Sequence, residues 1–346
     1  MALVLAMAAA IWFAGRRTGA PANARWLTIA LLYVLVLALQ VALPVGHPFR
    51  EATGGSAGEW LVLGGLGAIV WAYTRGLARV RSRVRPENRP RPATSGTFGE
   101  GELDRYARHV VLREIGGPGQ RRLKEARVLV VGAGGLGAPA LQYLAAAGVG
   151  TIGVIDGDEV EATNLQRQVI HTDERIGMPK VFSAEAAMRA LNPYVEVRPY
   201  HRRLTEEIAA ELVADYDLIL DGTDHFPTRF LVNRTAVAAR KPLVAAALSQ
   251  WEGQISLYEP SAEKPCYECI FPEAPAPGLA PSCAEAGVLG PLPGVVGALM
   301  AVEAVKRITG AGETLAGRML IYDALYGETR IIALRRRPDC PVCGEA

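Results

Sequence analysis

A glycine-rich turn set between two short apolar runs constrains the architecture of this chain more than any other feature. Arg127-Val-Leu-Val-Val131 leads directly into Gly132-Ala-Gly-Gly-Leu-Gly137, an Ala/Leu-rich stretch through Leu141 and Leu144, and a second apolar run ending at Asp156. Glycines at this spacing let the backbone approach a phosphate at a helix N-terminus, and an acid about 20 residues on takes ribose hydroxyls. The segment therefore reads as a βαβ nucleotide-binding crossover, with Gly132, Gly134, Gly135 and Gly137 at the phosphates and Asp156 at the ribose. Asn164-Leu-Gln-Arg-Gln168 and Lys180 follow closely. Arg167 and Lys180 are cations that a diphosphate, held by a helix N-terminus and backbone donors, does not require; they point to a triphosphate.

From Glu102 onward, apolar strand-like runs alternate with helical stretches. Val128–Val131, Thr151–Ile155, Val195–Val197, Leu218–Leu220 and Leu243–Ala247 read as buried parallel strands, with helices at Pro179–Leu191, Thr205–Ala214 and Pro227–Ala239. Gln254–Tyr258, Met319–Asp323 and Arg330–Leu334 read as antiparallel strands, with a helix at Pro293–Ile308 among them. The fold class expected is α/β: a doubly wound, Rossmann-like, mostly parallel sheet continuing into antiparallel strands.

Residues 1–80 are a different kind of chain, expected to form a separate helical region. Their acids are Glu51 and Glu59, while Trp26 to Gly46 runs without a charge for about the length needed to cross a bilayer. Spans are expected at 26–46 and 60–77, and a third at 2–15, against an interfacial or bundle-buried segment there. Arg16, Arg17 and Arg25 flank one end, and Arg75, Arg79, Arg81, Arg83, Arg85, Arg89 and Arg91 follow the last apolar stretch. By the positive-inside rule both flanks are cytoplasmic, which places 47–59 as a loop on the far side and predicts a multi-pass inner-membrane protein with its catalytic domain in the cytoplasm. Residues 81–96, rich in Arg, Pro and Ser, read as a basic linker, leaving 97–346 as the soluble domain. The net charge of +2 gives no electrostatic case for nucleic acid.

Five cysteines all lie after residue 265. Cys266-Tyr-Glu-Cys269 and Cys340-Pro-Val-Cys343 supply two thiolates each, a pattern that favours tetrahedral Zn2+ tying the C-terminal segment to a distant loop over a redox couple. Cys283 stands alone after a Pro/Ala-rich stretch and is a candidate nucleophile, against a packing residue. Asp224, just beyond the strand Leu218–Leu220, lies at the carboxyl edge of the sheet and supplies the hard oxygen that Mg2+ prefers. Arg108, in Arg105-Tyr-Ala-Arg-His109, is a third candidate phosphate cation.

Taken together, Arg105-Tyr-Ala-Arg-His109, the glycine turn, Asn164-Leu-Gln-Arg-Gln168, Gly177-Met-Pro-Lys180, Thr223-Asp224, both cysteine pairs and Cys283-Ala-Glu-Ala-Gly-Val-Leu-Gly290 resemble the ubiquitin-activating-enzyme-like superfamily, most closely its bacterial ThiF/MoeB/HesA group. The resemblance runs from about Arg105 to Gly344. It implies an enzyme that uses ATP and Mg2+ to adenylylate the C-terminal glycine carboxylate of a ubiquitin-like sulfur carrier ending in Gly-Gly. It also implies that Gly134 lines the phosphate loop, Asp156 the ribose, Asn164, Arg167 and Lys180 the phosphates, and Asp224 the magnesium. Arg108 is implied as an arginine finger reaching the partner's site in a homodimer, the paired cysteines as a structural zinc site, and Cys283 as a residue for thioester or sulfur chemistry.

The sequence departs from the group's usual pattern in three ways. His225 stands where Asn commonly follows the magnesium aspartate, no rhodanese-like region follows Cys343, so a separate sulfur donor is implied, and the apolar N-terminal region is additional. A hydrogen-bonding substitution is expected at His225, against a metal-ligand or catalytic role. Two alternatives stay open: activation of a small carboxylate or modified tRNA nucleoside, as in threonylcarbamoyladenosine dehydratases, and a membrane-bound nucleotide-binding scaffold without turnover.

Overall fold

The computed structural model describes residues 2–18, 21–54, 56–83, 98–99, 101–275 and 286–344, which divide into two compact units, one on each side of the junction between Arg89 and Pro90. Apart from residues 81–83, the linker expected over 81–96 lies outside the described residues, as does Cys283.

The first unit is helical: α1 (Ala2–Arg17), α2 (Ala22–Ala42), α3 (Pro48–Thr53) and α4 (Ala57–Arg83). Its small interior is Val4, Val36 and Trp60, and most other large apolar side chains face outward, including Leu31, Leu35, Leu66 and Ile69. Ala24–Ala42 and Pro48–Gly76, with mean hydropathies of 1.9 and 1.2, are long and apolar enough to cross a membrane. Two sequence expectations need correction. The helix expected over 26–46 stops at Ala42, because Leu43 precedes Pro44 and takes an extended ψ of 144°. The expected loop over 47–59 contains α3: His47 caps it by accepting from the Phe49 N–H at 3.3 Å, Pro48 opens it, and Gly54 ends it at φ 64°. Buried Gln40 donates to the Arg50 carbonyl (2.9 Å) and to Thr53 Oγ1 (2.8 Å), pinning α3 to α2. Helices α2 and α4 approach closely at Gly64, where a Cβ would lie 2.0 Å from Tyr33 Oη; that hydroxyl donates to the Trp60 carbonyl at 2.7 Å.

The second unit opens with α5 (Glu102–Arg105), α6 (Ala107–Val110) and α7 (Gly116–Glu125), followed by one eight-stranded sheet. β1 (Arg127–Val131), β2 (Thr151–Ile155), β3 (Glu196–Tyr200), β4 (Leu218–Asp221) and β5 (Leu243–Leu248) are parallel; β6 (Glu252–Tyr258), β7 (Arg318–Asp323) and β8 (Glu328–Ala333) continue antiparallel. The spatial order is β3-β2-β1-β4-β5-β6-β7-β8. Strand order reverses between β1 and β4, and the crevice beyond their carboxyl ends is where such sheets bind ligands. The crossovers are α8 (Gly137–Ala147), α9 (Lys180–Leu191), α10 (Glu206–Ala214) and α11 (Phe226–Ala238), with α12 (Tyr267–Ile270) and α13 (Leu292–Thr309) later in the chain.

The central strands read as continuous apolar runs because both faces are covered. Val128, Val130, Ile152 and Leu220 pack with Leu141 and Leu144 of α8 and Val296 and Met300 of α13. Leu129, Val131, Ile155 and Ile219 face Val213 of α10 and Val232 and Ala236 of α11. Pro199, which has no N–H to donate, is tolerated because β3 is an edge strand. The fold class is the one the sequence implies: a Rossmann-like sheet with an antiparallel extension.

Candidate active site

The four glycines of the β1–α8 turn are glycines for different reasons. Gly132 has φ 95°, and a Cβ there would crowd Gly222 of the neighbouring β4 loop at 3.3 Å. At Gly135 a Cβ would press on Pro293 of α13 at 3.1 Å, and at Gly137 it would lie 1.9 Å from the Gly132 carbonyl oxygen. Gly134 is the exception: a Cβ there meets nothing nearer than Gln168 Nε2, at 3.7 Å. Protein packing does not demand a glycine at 134. The space in front of it, at the N-terminus of α8, is open, and loop amides and the helix dipole favour negative charge there.

Asp156, at the end of β2, faces this loop. Its Oδ2 accepts from the Ala133 N–H and its Oδ1 from the Asp158 N–H, both at 2.8 Å. Lys180, the first residue of α9, is almost fully buried, and its ammonium meets Asp158 Oδ2 at 3.0 Å. Arg167 donates to the Thr163 carbonyl at 3.1 Å and to Asn164 Oδ1 at 3.3 Å, so the Asn and Arg of this motif are preassembled on each other. Two buried residues not expected from the sequence complete this side. Gln168 carries a buried Oε1 with no hydrogen-bond partner among the described residues. His171 Nε2 lies 2.9 Å from the Ala133 carbonyl and Nδ1 lies 2.9 Å from Ser183 Oγ. Because a carbonyl only accepts, the Nε2 carries the proton and the Nδ1 accepts from Ser183. Burial, partly opposed by the Ala133 hydrogen bond, holds the His171 pKa below its ordinary value and keeps the ring neutral.

Across the crevice, Asp221 at the end of β4 is buried and accepts from the Thr223 N–H (2.9 Å) and hydroxyl (2.7 Å). The buried Arg229 guanidinium donates to the Thr223 carbonyl at 2.9 Å and to the Ala246 carbonyl, and lies 4.0 Å from Asp221. This frame fixes the loop carrying Asp224. Asp224 is itself exposed and has no hydrogen bond or ion pair among the described residues, leaving both oxygens available to a cation. His225 precedes α11 and shares a hydrogen bond with Thr228 Oγ1 at 3.0 Å. Arg108 on α6 is exposed, and its side chain has no hydrogen bond or ion pair among the described residues.

Cys266, Cys269, Cys340 and Cys343 converge as four buried free thiols, all sulfurs within 4.8 Å of one another. The Cys266–Cys269, Cys266–Cys340 and Cys269–Cys343 sulfur separations are 3.8, 3.6 and 3.4 Å. A tetrahedral zinc with Zn–S bonds of about 2.3 Å needs sulfurs roughly 3.8 Å apart. The donor set and its size thus suit zinc; a two-cysteine redox couple gives no reason for four thiols to meet. Burial pushes the Cys266 thiol up; at Cys340 burial also raises the thiol, but amide hydrogen bonds from Cys343 and Val342 and thiol hydrogen bonds with Cys266 and Cys269 together bring it down to about 7.

Fold and site together define a class: a Rossmann-like protein with a glycine turn of the nucleotide-binding kind and a four-cysteine cluster able to hold a metal. The sequence matches the ThiF family over residues 106–342, and the chain belongs to that family. It is 54% identical over 248 residues to the sulfur carrier protein adenylyltransferase of Thermus thermophilus, covering 70% of this chain and 92% of that one. It is 51% identical over 244 residues to the SAMP-activating enzyme E1 of Haloferax volcanii, covering 70% and 90%. Among solved structures, E. coli MccB with ATP superposes with a TM-score of 0.61 at 25% identity over 70% of this chain and 74% of that one.

Proposed function

We propose that this chain adenylylates the C-terminal glycine carboxylate of a ubiquitin-like sulfur carrier, with ATP as co-substrate and pyrophosphate as leaving group. The observation that carries the reading is the cradle at Gly134, a glycine that packing does not require, with Gln168 beside it and Asp156 tied to the same loop. The names of the relatives in T. thermophilus and H. volcanii support the carrier as substrate.

In this reading the loop amides and the α8 N-terminus bind the phosphates, and Asp156 exchanges an amide hydrogen bond for the ribose hydroxyls. Asn164, Arg167 and Lys180 orient the triphosphate and neutralise the charge that develops on pyrophosphate. Asp224 would hold a magnesium ion, which would supply further charge neutralisation at the phosphates. The carrier carboxylate is already ionised and attacks the α-phosphate without a general base, so alignment and electrostatics do the catalysis. Arg108, whose side chain has no hydrogen bond or ion pair among the described residues, acts in the site of a second copy, making the homodimer the catalytic unit. Cys283 is assigned on sequence alone: its thiolate would attack the acyl-adenylate, forming a thioester and releasing AMP, with sulfur supplied by a separate donor protein. Zinc at the four cysteines is structural.

The first unit tethers the enzyme to a membrane as a multi-pass anchor, with the catalytic unit on the cytoplasmic side; its outward-facing apolar helices and the arginines that follow support this. Protease added to inverted inner-membrane vesicles should degrade the catalytic unit, and full protection would overturn the orientation. For the chemistry, the test is ATP–pyrophosphate exchange by the full chain with a panel of ubiquitin-like carriers ending in Gly-Gly. Exchange should require a carrier and its free C-terminal carboxylate, and Asp224→Ala should abolish it without unfolding the protein. Exchange independent of any carrier would overturn the reading.

A further inference from the structure

Lys180 poses a physical problem that its neighbourhood resolves. Its side chain is only 7% exposed, and an ammonium taken out of water requires a counter-charge. Asp158 provides it, at 3.0 Å, and the backbone reinforces the pairing: the Lys180 N–H donates to the Asp158 carbonyl at 2.9 Å. Asp158 is fixed in turn, because its own N–H donates to Asp156 Oδ1 while Asp156 Oδ2 accepts from Ala133 in the phosphate loop. The lysine ammonium is thus referenced to the phosphate loop through three successive hydrogen bonds. One of its three donors lies on Asp158, which leaves two for phosphate oxygens.

We propose that Asp158 is a positioning residue: it aims Lys180 at the phosphates beyond the α-phosphate and so sets the preference of this site for a nucleoside triphosphate over a monophosphate. The inference rests on the nucleotide reading above. A lysine stem has several rotatable bonds, and without a partner its ammonium samples many positions; the ion pair removes that freedom before the nucleotide arrives. In the nucleotide reading above the ribose sits at Asp156 and the phosphate nearest to it at the loop, so neither depends on where the Lys180 ammonium points.

The experiment is calorimetric binding of Mg-ATP and of AMP to the full chain in detergent, comparing wild type with Asp158→Asn, Asp158→Glu, Lys180→Met and the double variant Asp158→Asn/Lys180→Met. Asp158→Asn should weaken ATP binding about tenfold, the scale of one charge-assisted hydrogen bond, with AMP changed less than about twofold. Asp158→Glu should recover part of the loss. On the Lys180→Met background, Asp158→Asn should cost nothing further, which a merely structural role would not produce. Parallel weakening of ATP and AMP, tighter ATP binding, or a full tenfold loss without the lysine would overturn the proposal. A wild-type protein that binds neither nucleotide would instead overturn the nucleotide reading itself.

Discussion

Alanine at Gly134 and alanine at Gly137 differ in where the added methyl goes, and the two substitutions separate a glycine kept for a ligand from one kept for packing. At Gly137 the methyl would lie 1.9 Å from the Gly132 carbonyl oxygen and 2.9 Å from its carbon, backbone atoms that cannot step aside without distorting the turn. Overpacking against backbone costs roughly 3 kcal/mol or more, which for a unit of this size lowers the melting temperature by roughly 6–12 °C. At Gly134 the nearest atom is 3.7 Å away and the residue lies outside the left-handed region, so alanine fits. Restricting the unfolded chain should then leave stability unchanged or raise it by about 0.4–1 kcal/mol. The methyl, however, would occupy the space that the proposed function gives to a phosphate oxygen at the loop amides. Losing one such hydrogen bond to a charged group costs about 1.5–3 kcal/mol, a loss of ATP affinity of at least about tenfold. Differential scanning fluorimetry without ligand, followed by ATP titration, reads both quantities. Wild-type ATP affinity in Gly134→Ala would refute the assignment of the cradle, and a melting temperature as low as that of Gly137→Ala would refute the geometry.

Three further outcomes follow from the same structure. Elemental analysis should find zinc at one ion per chain, lost in Cys340→Ser. Removing it should expose the C-terminal segment to proteolysis, since the ion would join sulfurs 74 residues apart in sequence; zinc-free protein of unchanged resistance would count against a structural metal. Mixing inactive Arg108→Ala and Asp224→Ala chains should restore part of the exchange activity through heterodimers with one intact site, whereas no recovery despite subunit exchange would remove Arg108 from the partner's site. His171 contributes a pH dependence of definite sign. Its folded pKa lies below its unfolded value of about 6.5, so the unfolded state binds the proton first, and the contribution, complete above about pH 6.5, is lost as pH falls below it. Melting temperatures between pH 8 and pH 5 should therefore fall more steeply for wild type than for His171→Gln, and parallel curves would contradict a neutral buried ring.

Much of this was legible in the sequence because the responsible forces are local or periodic. Strands buried on both faces leave continuous apolar runs, which is why β1, β2, β4 and β5 are visible; Asp156 and Asp224 follow strand ends and so had to lie at the carboxyl edge of the sheet. Paired cysteines announce a shared site from their spacing alone. What escaped depends on pairings between distant segments. Asp158 with Lys180, His171 with the Ala133 carbonyl, and Arg229 with the Thr223 and Ala246 carbonyls join residues whose sequence neighbours give no hint of the partner. Helix α3 was missed for another reason: six residues are too few to show a helical period, and only the His47 cap, Pro48 and Gly54 marked it. Gln40, in the apolar C-terminal half of α2, was the signal that something polar packs there.

The central claim is that the bond broken in ATP lies between the α- and β-phosphates. The most direct test incubates the full chain and an accepted carrier with ATP labelled at the α-phosphate in one reaction and at the γ-phosphate in another, and separates the products. The α label should appear in carrier-bound adenylate and AMP, and the γ label in pyrophosphate. Formation of ADP and orthophosphate in their place would contradict the account.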